Sequence, residues 1–364
     1  MKARWPVIGL IAILVPLVVP MAISAQASTP PTVYYLALGD SLSTGGGSTP
    51  GHSYVDDIYA QLSQNIPGLV LENLGCGGDS TTRMIHGGLC KRYTTGNQLA
   101  DGELFLRLHP SQVAFMSIDV GGDDIVGCTL SGTVNPTCVA NALAAVQTNM
   151  PIILSGLRAA GGSVPIVGMN YYDPILAAWY SGAWFHGPAS ETTARASLPV
   201  LRSLNSDLAA IYGQYGARVA NVQGPFQSGD WKLTGSFLGT TLPQNVANIC
   251  NWTQMCIANP TIHTNDFGHS LIAAAYEKVL RVPASVSGNP PTASIGVPYS
   301  FQFNVGGYPS VMVSKAGKLP KGLTLSKSGL LSGAPTRSGT FPVIVKASDS
   351  AGSATDATQV LVSS

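Results

Sequence analysis

The sequence predicts an α/β domain with a parallel sheet covered by helices on both faces, followed by a small all-β sandwich. Apolar runs typical of buried strands alternate with segments of helical periodicity as far as about residue 281. From residue 291 onward, short runs of alternating polarity are separated by turn residues at regular intervals. Residues 283–290, rich in Pro, Ser, Val and Gly, are predicted to link the two domains.

Periodicity and turn residues define the elements of both domains. Val55, Ile58 and Leu62 recur at helical spacing, which predicts a helix over residues 53–64. Further helices are predicted over residues 137–159, over residues 198–212 and from Asp266 onward. The predicted strands of the first domain are 33–38, 69–74, 112–118, 164–170 and 217–222. Those of the second domain are 299–305, 323–325, 341–346 and 359–362.

The N-terminus has the pattern of a secretory signal peptide over residues 1–27. Lys2 and Arg4 precede an apolar run, and small residues at 25–27 supply a cleavage site. A retained membrane anchor is the alternative, but the prolines in the run and the small-residue site favour removal. We therefore expect a secreted, extracellular protein with one domain over residues 28–282 and a second over residues 291–364.

Charge and cysteine content narrow the class of protein. A net charge of +1 with 10% charged residues argues against a nucleic-acid partner, since such binders have a basic patch or stripe. Six cysteines in an exported chain predict disulfides, and six allow fifteen pairings. No Cys-x-x-Cys or Cys/His spacing typical of a zinc site occurs, so we expect no metal. Pairing between sequence neighbours predicts three bridges: Cys76–Cys90, Cys128–Cys138 and Cys250–Cys256.

Three of the predicted strands end in glycine-rich, polar turns. The first strand runs into Gly39-Asp40-Ser41, which places Ser41 at the carboxyl end of the strand, where ligands of open α/β sheets bind. The other two turns lie at residues 75–82 and 119–124. The alternative interpretation is that Asp40 and Ser41 only cap the next segment.

Asp266 and His269 supply the groups that a serine nucleophile needs. They are three residues apart at the start of the last predicted helix, so the carboxylate can reach one imidazole nitrogen while the other faces a hydroxyl. A serine hydroxyl needs a base to take its proton, and the base needs a partner that sets its tautomer. Ser41, His269 and Asp266 fit these roles. His263 is the rival base, but no Asp precedes it by three residues.

These motifs resemble those of the GDSL, or SGNH, hydrolase family of esterases and lipases, over about residues 33–281. Gly-Asp-Ser-Leu-Ser at 39–43 is similar to the family's first block and implies Ser41 as the nucleophile. Gly78 lies where the second block has the glycine whose N–H binds the oxyanion together with that of Ser41. Asp-Phe-Gly-His at 266–269 is similar to the final block and implies His269 as base and Asp266 as its partner. The resemblance implies a flavodoxin-like three-layer α/β/α fold and no cofactor.

One block departs from the family pattern of Gly-x-Asn-Asp, because residues 121–124 are Gly-Gly-Asp-Asp. The family's asparagine donates an amide N–H to the oxyanion, and a carboxylate at Asp123 has no such proton. A negative charge about 4 Å from the oxyanion costs about 4 kcal/mol, or roughly a thousandfold in rate. The sequence leaves three alternatives. Asp123 is protonated, its side chain turns away from the oxyanion, or the domain is a weak or inactive relative of the family. We expect a working enzyme in which Asp123→Asn raises turnover of a short acyl ester at neutral pH.

The second domain resembles the immunoglobulin-like repeat of bacterial surface and secreted enzymes. The resemblance rests on Leu-Pro-Lys-Gly-Leu-Thr-Leu at 319–325, Gly-Leu-Leu-Ser-Gly-Ala-Pro at 329–335 and Gly-Thr-Phe at 339–341. It implies a β-sandwich, for which we expect a polysaccharide or a cell surface as the partner.

The sequence therefore predicts a secreted, monomeric serine hydrolase that cleaves ester or lipid substrates through an acyl-enzyme on Ser41. Two alternatives stay open. The same residues could remove acetyl groups from a polysaccharide, with the sandwich as a targeting device. A degenerate hydrolase domain could instead bind glycan or lipid without catalysis, an interpretation that Asp123 favours and the intact Ser, His and Asp oppose.

Overall fold

The computed structural model describes residues 26–27, 29–129, 132–185 and 187–364. The predicted signal peptide lies outside these residues except for Gln26 and Ala27. The described chain has two hydrophobic cores, one in the α/β part and one in the C-terminal β part.

Five parallel strands form the central sheet: β1 (Val33–Gly39), β2 (Leu69–Asn73), β3 (Val113–Asp119), β4 (Ile166–Met169) and β5 (Arg218–Ala220). Their order is β2-β1-β3-β4-β5. This is the flavodoxin-like doubly wound order, so the predicted fold class is confirmed. Residues 35–38 of β1 are fully buried, because helices cover both faces of this inner strand.

Helices pack on the sheet in two layers, with α3, α5 and α6 side by side and α1 against α9. In chain order they are α1 (Tyr54–Ser63), α2 (Thr81–His86), α3 (Gln98–Leu108), α4 (Gly122–Ile125), α5 (Pro136–Gly161), α6 (Glu191–Gln214), α7 (Gln223–Phe226), α8 (Gln244–Trp252) and α9 (Asp266–Val279). Short 3₁₀ helices lie at Val126–Thr129, Pro174–Trp179 and Ala183–Phe185. Helix α5 is long and apolar enough to cross a membrane by length and composition alone. However, Val146, Met150 and Leu154 on one of its faces are fully buried against the domain core.

Helices α2, α3, α4, α7 and α8 are absent from the sequence-based expectations, and α3 is the longest of them. In α3, the Asp101-Gly102 pair is typical of a turn. Here Gly102 serves packing instead, because a Cβ at this position would lie 2.9 Å from Leu38 Cδ2. The glycine therefore lets α3 approach β1 closely.

Strands make up the rest of the chain. A hairpin of β6 (Gly235–Phe237) and β7 (Thr240–Leu242) precedes α8. The C-terminal strands are β8 (Val282–Ser287), β9 (Ala293–Ser294), β10 (Tyr299–Gln302), β11 (Asn304–Tyr308), β12 (Met312–Lys315), β13 (Leu323–Leu325), β14 (Leu330–Gly333), β15 (Gly339–Ser348) and β16 (Ser353–Ser363). They form the sheets β10-β14-β13, β9-β16-β15-β12 and β11-β8, and Gln26–Ala27 pairs in parallel with β10.

Strand β8 occupies most of the segment predicted as a linker. It pairs antiparallel with β11, with Val286 opposite Val305. Val282 and Ala284 are buried while Pro283 between them is exposed, which is the alternation of a strand with one face on a core. The segment predicted as a linker over residues 283–290 is therefore strand up to Ser287, and residues 288–290 lie outside a strand.

Three disulfides join the same cysteines that the sequence analysis pairs. The bridge from Cys76 to Cys90 closes the loop after β2, which contains Gly77 and Gly78. A bridge over about fifteen residues contributes about 3 kcal/mol in the chain-entropy model. The bridge from Cys250 to Cys256 closes the loop after α8.

Candidate active site

Ser41 lies in the turn after β1, at the carboxyl edge of the sheet. Gly39 has a φ of +148°, and a Cβ there would lie 1.7 Å from the Asp119 carboxyl oxygen, so the close approach of β1 and β3 requires glycine. The Asp40 N–H donates to the Asp119 carbonyl at 2.9 Å, which continues the pairing up to the residue before Ser41. The strand therefore presents Ser41 at the edge where ligands of such sheets bind.

His263 is the histidine that contacts Ser41: its Nε2 lies 2.8 Å from Ser41 Oγ. It belongs to a segment that folds back on the loop after α8. Thr253 and Thr264 form an antiparallel bridge, and the Gln254 N–H donates to the His263 carbonyl at 2.9 Å. Since the Cys250–Cys256 disulfide closes the loop that carries Gln254, covalent and backbone bonds together position His263.

The second nitrogen of His263 faces a hydroxyl instead of a carboxylate. Nδ1 lies 3.1 Å from Thr261 Oγ1, and that hydroxyl donates to Gln254 Oε1 at 3.0 Å. Because the Thr261 proton is directed at Gln254, its oxygen accepts the Nδ1–H of His263. This tautomer leaves the Nε2 lone pair for the Ser41 proton. Burial lowers the pKa of His263, which favours the neutral form of the ring.

His269 does not face Ser41, so its predicted place beside the nucleophile is wrong. Its Nδ1 accepts the Tyr54 N–H at 3.1 Å, and its Nε2 donates to the Gly46 carbonyl at 3.0 Å. The side chain is fully buried, and this burial lowers its pKa. With both nitrogens bound to backbone groups, His269 fastens α1 and the glycine-rich loop after Ser41 to α9.

Asp266 also binds that loop instead of a histidine that contacts Ser41. Its carboxylate accepts the N–H and the hydroxyl of Thr49 at 2.7 and 2.9 Å, at the exposed start of α9. These hydrogen bonds hold the pKa of Asp266 below its ordinary value. The predicted pairing of Asp266 with the base is therefore wrong, because both Asp266 and His269 anchor the loop.

The glycine-rich loop, residues 44–51, packs against His263. A Cβ at Gly46 would lie 2.8 Å from His263 Cδ2, and one at Gly47 would lie 2.7 Å from His263 Cβ. Gln254 Nε2 donates to the Gly47 carbonyl at 2.9 Å, so the loop also contacts the residue that orients Thr261. The absence of side chains at these two positions lets the imidazole reach Ser41.

The turn after β2 lies on another side of Ser41. A Cβ at Gly77 would lie 3.7 Å from Ser41 Cβ, and Gly78 follows in the left-handed region with a φ of +84°. The N–H groups of Ser41 and Gly78 donate to no other group in the part of the chain that the structure describes. Both are therefore free to bind a substrate oxygen.

Two carboxyls beneath Ser41 hold its turn. Asp40 accepts the Leu42 N–H at 2.9 Å, and Asp119 accepts the Ser43 N–H at 3.2 Å and the Tyr54 hydroxyl at 2.8 Å. Burial raises the pKa of both, that of Asp119 to about 7. No group of three or more His, Cys, Asp or Glu in the described ranges could hold a metal ion.

Asp123 lines the same cavity as Ser41 and His263, whereas its neighbour Asp124 binds α2. Asp124 accepts the N–H and the hydroxyl of Thr81 at 2.9 and 2.8 Å. Asp123 Oδ2 is buried and has no hydrogen-bond partner among the described residues. Burial is the main cause that raises the pKa of Asp123 to about 8.

The cavity beside Ser41 and His263 is mostly apolar. Its walls come from the residues that follow β1, β3 and β4, and from α6. Apolar lining residues include Leu42, Ile125, Val126, Ile175, Leu201 and Leu204. No Lys or Arg of the described chain lines it, so the cavity suits an uncharged, apolar group.

Two family models match this chain, and several solved structures are similar to it. The family model described as the GDSL-like lipase/acylhydrolase family matches residues 37–271, and an Ig domain model matches residues 282–363. An extracellular lipase from Streptomyces rimosus is 18% identical, with 68% of this chain and 100% of that chain covered at a TM-score of 0.46. A phospholipase A1 from Streptomyces albidoflavus is 17% identical, with 69% and 100% covered at a TM-score of 0.42. No curated protein matches the chain.

Proposed function

Because the chain belongs to the GDSL-like lipase/acylhydrolase family and is an ester hydrolase, we propose that Ser41 is its nucleophile and His263 its base. The observation that carries the proposal is the 2.8 Å contact between Ser41 Oγ and His263 Nε2. With His263 as the base, the acid position of the family's Asp-x-x-His block falls on Pro260. The site is then a serine–histidine dyad, and Thr261 orients the ring in place of a carboxylate.

The reaction follows from these positions. His263 Nε2 takes the Ser41 proton while Oγ attacks the ester carbonyl carbon, and the carbonyl oxygen becomes an oxyanion. The free N–H groups of Ser41 and Gly78 donate to that oxyanion. The imidazolium then protonates the leaving alcohol, which gives the acyl-enzyme. Water repeats the sequence with His263 as base, which releases the acid and restores Ser41.

The chemistry of the cavity wall favours an uncharged ester with an apolar acyl group as the substrate. Its walls are mostly apolar, and its acidic lining residues are Asp40, Asp123 and Asp173, the pKa of each of which is raised by burial. An anionic group such as a phosphate would lose its hydration there without a cation to compensate, because no Lys or Arg of the described chain lines the cavity. Acyl chains of neutral esters are therefore favoured over anionic head groups within the cavity.

We further propose that the enzyme acts outside the cell. Disulfides persist in oxidising compartments, and all six cysteines are paired. The pattern of residues 1–27 supports export. We propose a polysaccharide or a cell surface as the partner of the C-terminal domain, and removal of acetyl groups from such a polymer as the alternative reaction.

A fluorophosphonate probe tests whether Ser41 is activated. The wild-type protein should be labelled at one serine, and Ser41→Ala should abolish labelling, because the probe reacts only with a hydroxyl whose proton is taken by a base. Hydrolysis of p-nitrophenyl butyrate should be lost in the same variant. Labelling of folded Ser41→Ala at the wild-type rate would overturn the assignment. Comparing butyrate, longer acyl esters and acetylated xylan then distinguishes the two reactions.

Thr261→Val tests whether the Thr261 hydroxyl orients His263. Valine keeps the shape but leaves the Nδ1–H of His263 without an acceptor, which typically costs about 1–3 kcal/mol, or roughly 5-fold to 150-fold in kcat. Thr261→Ser keeps the hydroxyl and should retain most activity. Equal activity of folded Val and Ser variants over the pH profile would show that Thr261 does not set the tautomer of His263.

A further inference from the structure

Asp123 is one of three carboxyls that line the cavity and take no part in the dyad mechanism. It shares the cavity with Ser41 and His263, and its Oδ2 is buried with no partner among the described residues. Asp124, the next residue, has its oxygens bound by Thr81. A carboxylate oxygen that is buried without a donor is strongly unfavourable, whereas a protonated carboxyl removes the charge and gains an O–H donor.

The charges around Asp123 favour the protonated form. Asp40 faces it from the end of β1, Asp79 from the turn after β2 and Asp124 from its own helix, while Arg83 on α2 is the opposing cation. His263, Tyr171 and Tyr172 are the other titratable groups of the cavity wall, together with Asp173. Burial first, and the nearby carboxyls second, raise the pKa of Asp123 to about 8.

We infer that Asp123 is a neutral carboxylic acid in the working enzyme and that its O–H donates a third hydrogen bond to the oxyanion. This inference rests on the proposed function, and it assigns to an acid the position where the family's block has asparagine. No proton is transferred: it stays on Asp123 while the O–H stabilises the developing negative charge. Loss of that proton replaces a donor with a like charge, which lowers the rate roughly a thousandfold at about 4 Å.

Catalysis should therefore be lost at alkaline pH, because Asp123 loses its proton there. The donor is present below pH 8 and is lost as pH rises through the pKa of about 8. His263 must be neutral, and because burial lowers its pKa, this requirement limits the rate only on the acid side. The plot of kcat/KM against pH should therefore be bell-shaped. The expectation that Asp123→Asn raises turnover at neutral pH is revised: near pH 7 the two donors should be nearly equivalent.

The test is the pH dependence of kcat/KM from pH 5 to 10 on p-nitrophenyl butyrate, corrected for spontaneous hydrolysis. Wild type should lose about 100-fold between its plateau and pH 10, two units above the pKa. Asp123→Asn should keep the acid limb and lose the alkaline one. Asp123→Ala should fall about 10²–10³-fold even at pH 7, as expected when one oxyanion donor is deleted.

Asp124→Asn is the matched control. It leaves Asp123 in place and removes one of the charges that raise its pKa, so the alkaline limb should remain and shift to lower pH. An active Asp123→Asn enzyme that keeps the wild-type alkaline limb would overturn the inference, and would assign the limb to another buried acid such as Asp119. Failure of the proposed function gives a different result, with no activity at any pH and no labelling of Ser41.

Discussion

Replacement of His263 by glutamine is expected to lower kcat by on the order of 10⁴-fold or more, whereas His269→Gln should lower turnover of the folded enzyme far less, because Asp266 and Gln254 also hold the loop that His269 anchors. Removing the base of a serine hydrolase leaves only the oxyanion donors and substrate binding. His263 Nε2 is the nitrogen within reach of Ser41 Oγ, at 2.8 Å. Both nitrogens of His269 are bound to the backbone of residues 46 and 54.

The two variants should separate activity from stability. His269→Gln leaves a buried N–H or carbonyl unpaired, which costs about 1–3 kcal/mol of stability, so its melting temperature should fall. His263→Gln changes a partly buried ring at the cavity wall and should melt closer to wild type. Rates are therefore normalised to the folded fraction measured by circular dichroism. A folded His269→Gln enzyme as inactive as His263→Gln would return the role of base to His269.

The position of His269 in α9 could have been recognised from helical spacing. His269, Ile272 and Tyr276 follow one another at three and four residues, so they share one face of the helix, and all three are fully buried. A residue on the core-facing stripe of a helix is constrained by packing and has little freedom to serve a substrate. His263 precedes the helix in an extended segment. The Asp-x-x-His spacing at residues 266–269 therefore predicts a base at a histidine whose two nitrogens are both bound to backbone groups.

The fold was more predictable than the site because periodicity acts over many residues. Strands 33–39 and 113–119 form where apolar runs predict them, and their glycine-rich ends meet at one edge of the sheet. The contact between residues 41 and 263 instead depends on a disulfide-closed loop and an antiparallel bridge far along the chain. Contacts between residues so far apart in the chain produce no periodic pattern in the local sequence. The small residues of β8 likewise gave a linker-like composition, although the strand buries alternate side chains.

The aspartates of the site have different roles because their burial and their hydrogen-bond partners differ, although the residue type is the same. Asp40, Asp119 and Asp124 are bound by N–H or O–H donors, so their oxygens hold backbone and neighbouring side chains. Asp266 is exposed and bound by Thr49. Asp123 alone among these five combines a place in the cavity with a buried oxygen that has no partner in the described chain. Its chemistry follows from this environment and could not be read from its position in a motif.

Gly46→Ala is expected to lower kcat about 100-fold while the protein remains folded. A Cβ at this position would lie 2.8 Å from His263 Cδ2 and 2.9 Å from the Ser41 carbonyl oxygen. Relief of this overlap must move the imidazole away from Ser41 Oγ or shift the loop. A displacement of about 1 Å at a reacting group can cost about 100-fold in rate. The measurement is kcat on a short acyl ester, together with the rate of fluorophosphonate labelling.

Gly51→Ala is the control within the same loop. Gly51 has a φ of +85° and no atom within 4 Å of a Cβ built on it, so alanine there adds backbone strain without contacting the site. It should lower stability by about 1 kcal/mol and leave kcat close to wild type. If Gly46→Ala instead matches Gly51→Ala in kcat, the loop yields without moving His263, and the dyad does not depend on a bare backbone at residue 46. A selective loss in Gly46→Ala shows that the loop anchored by His269 and Asp266 holds the space into which the base must fit.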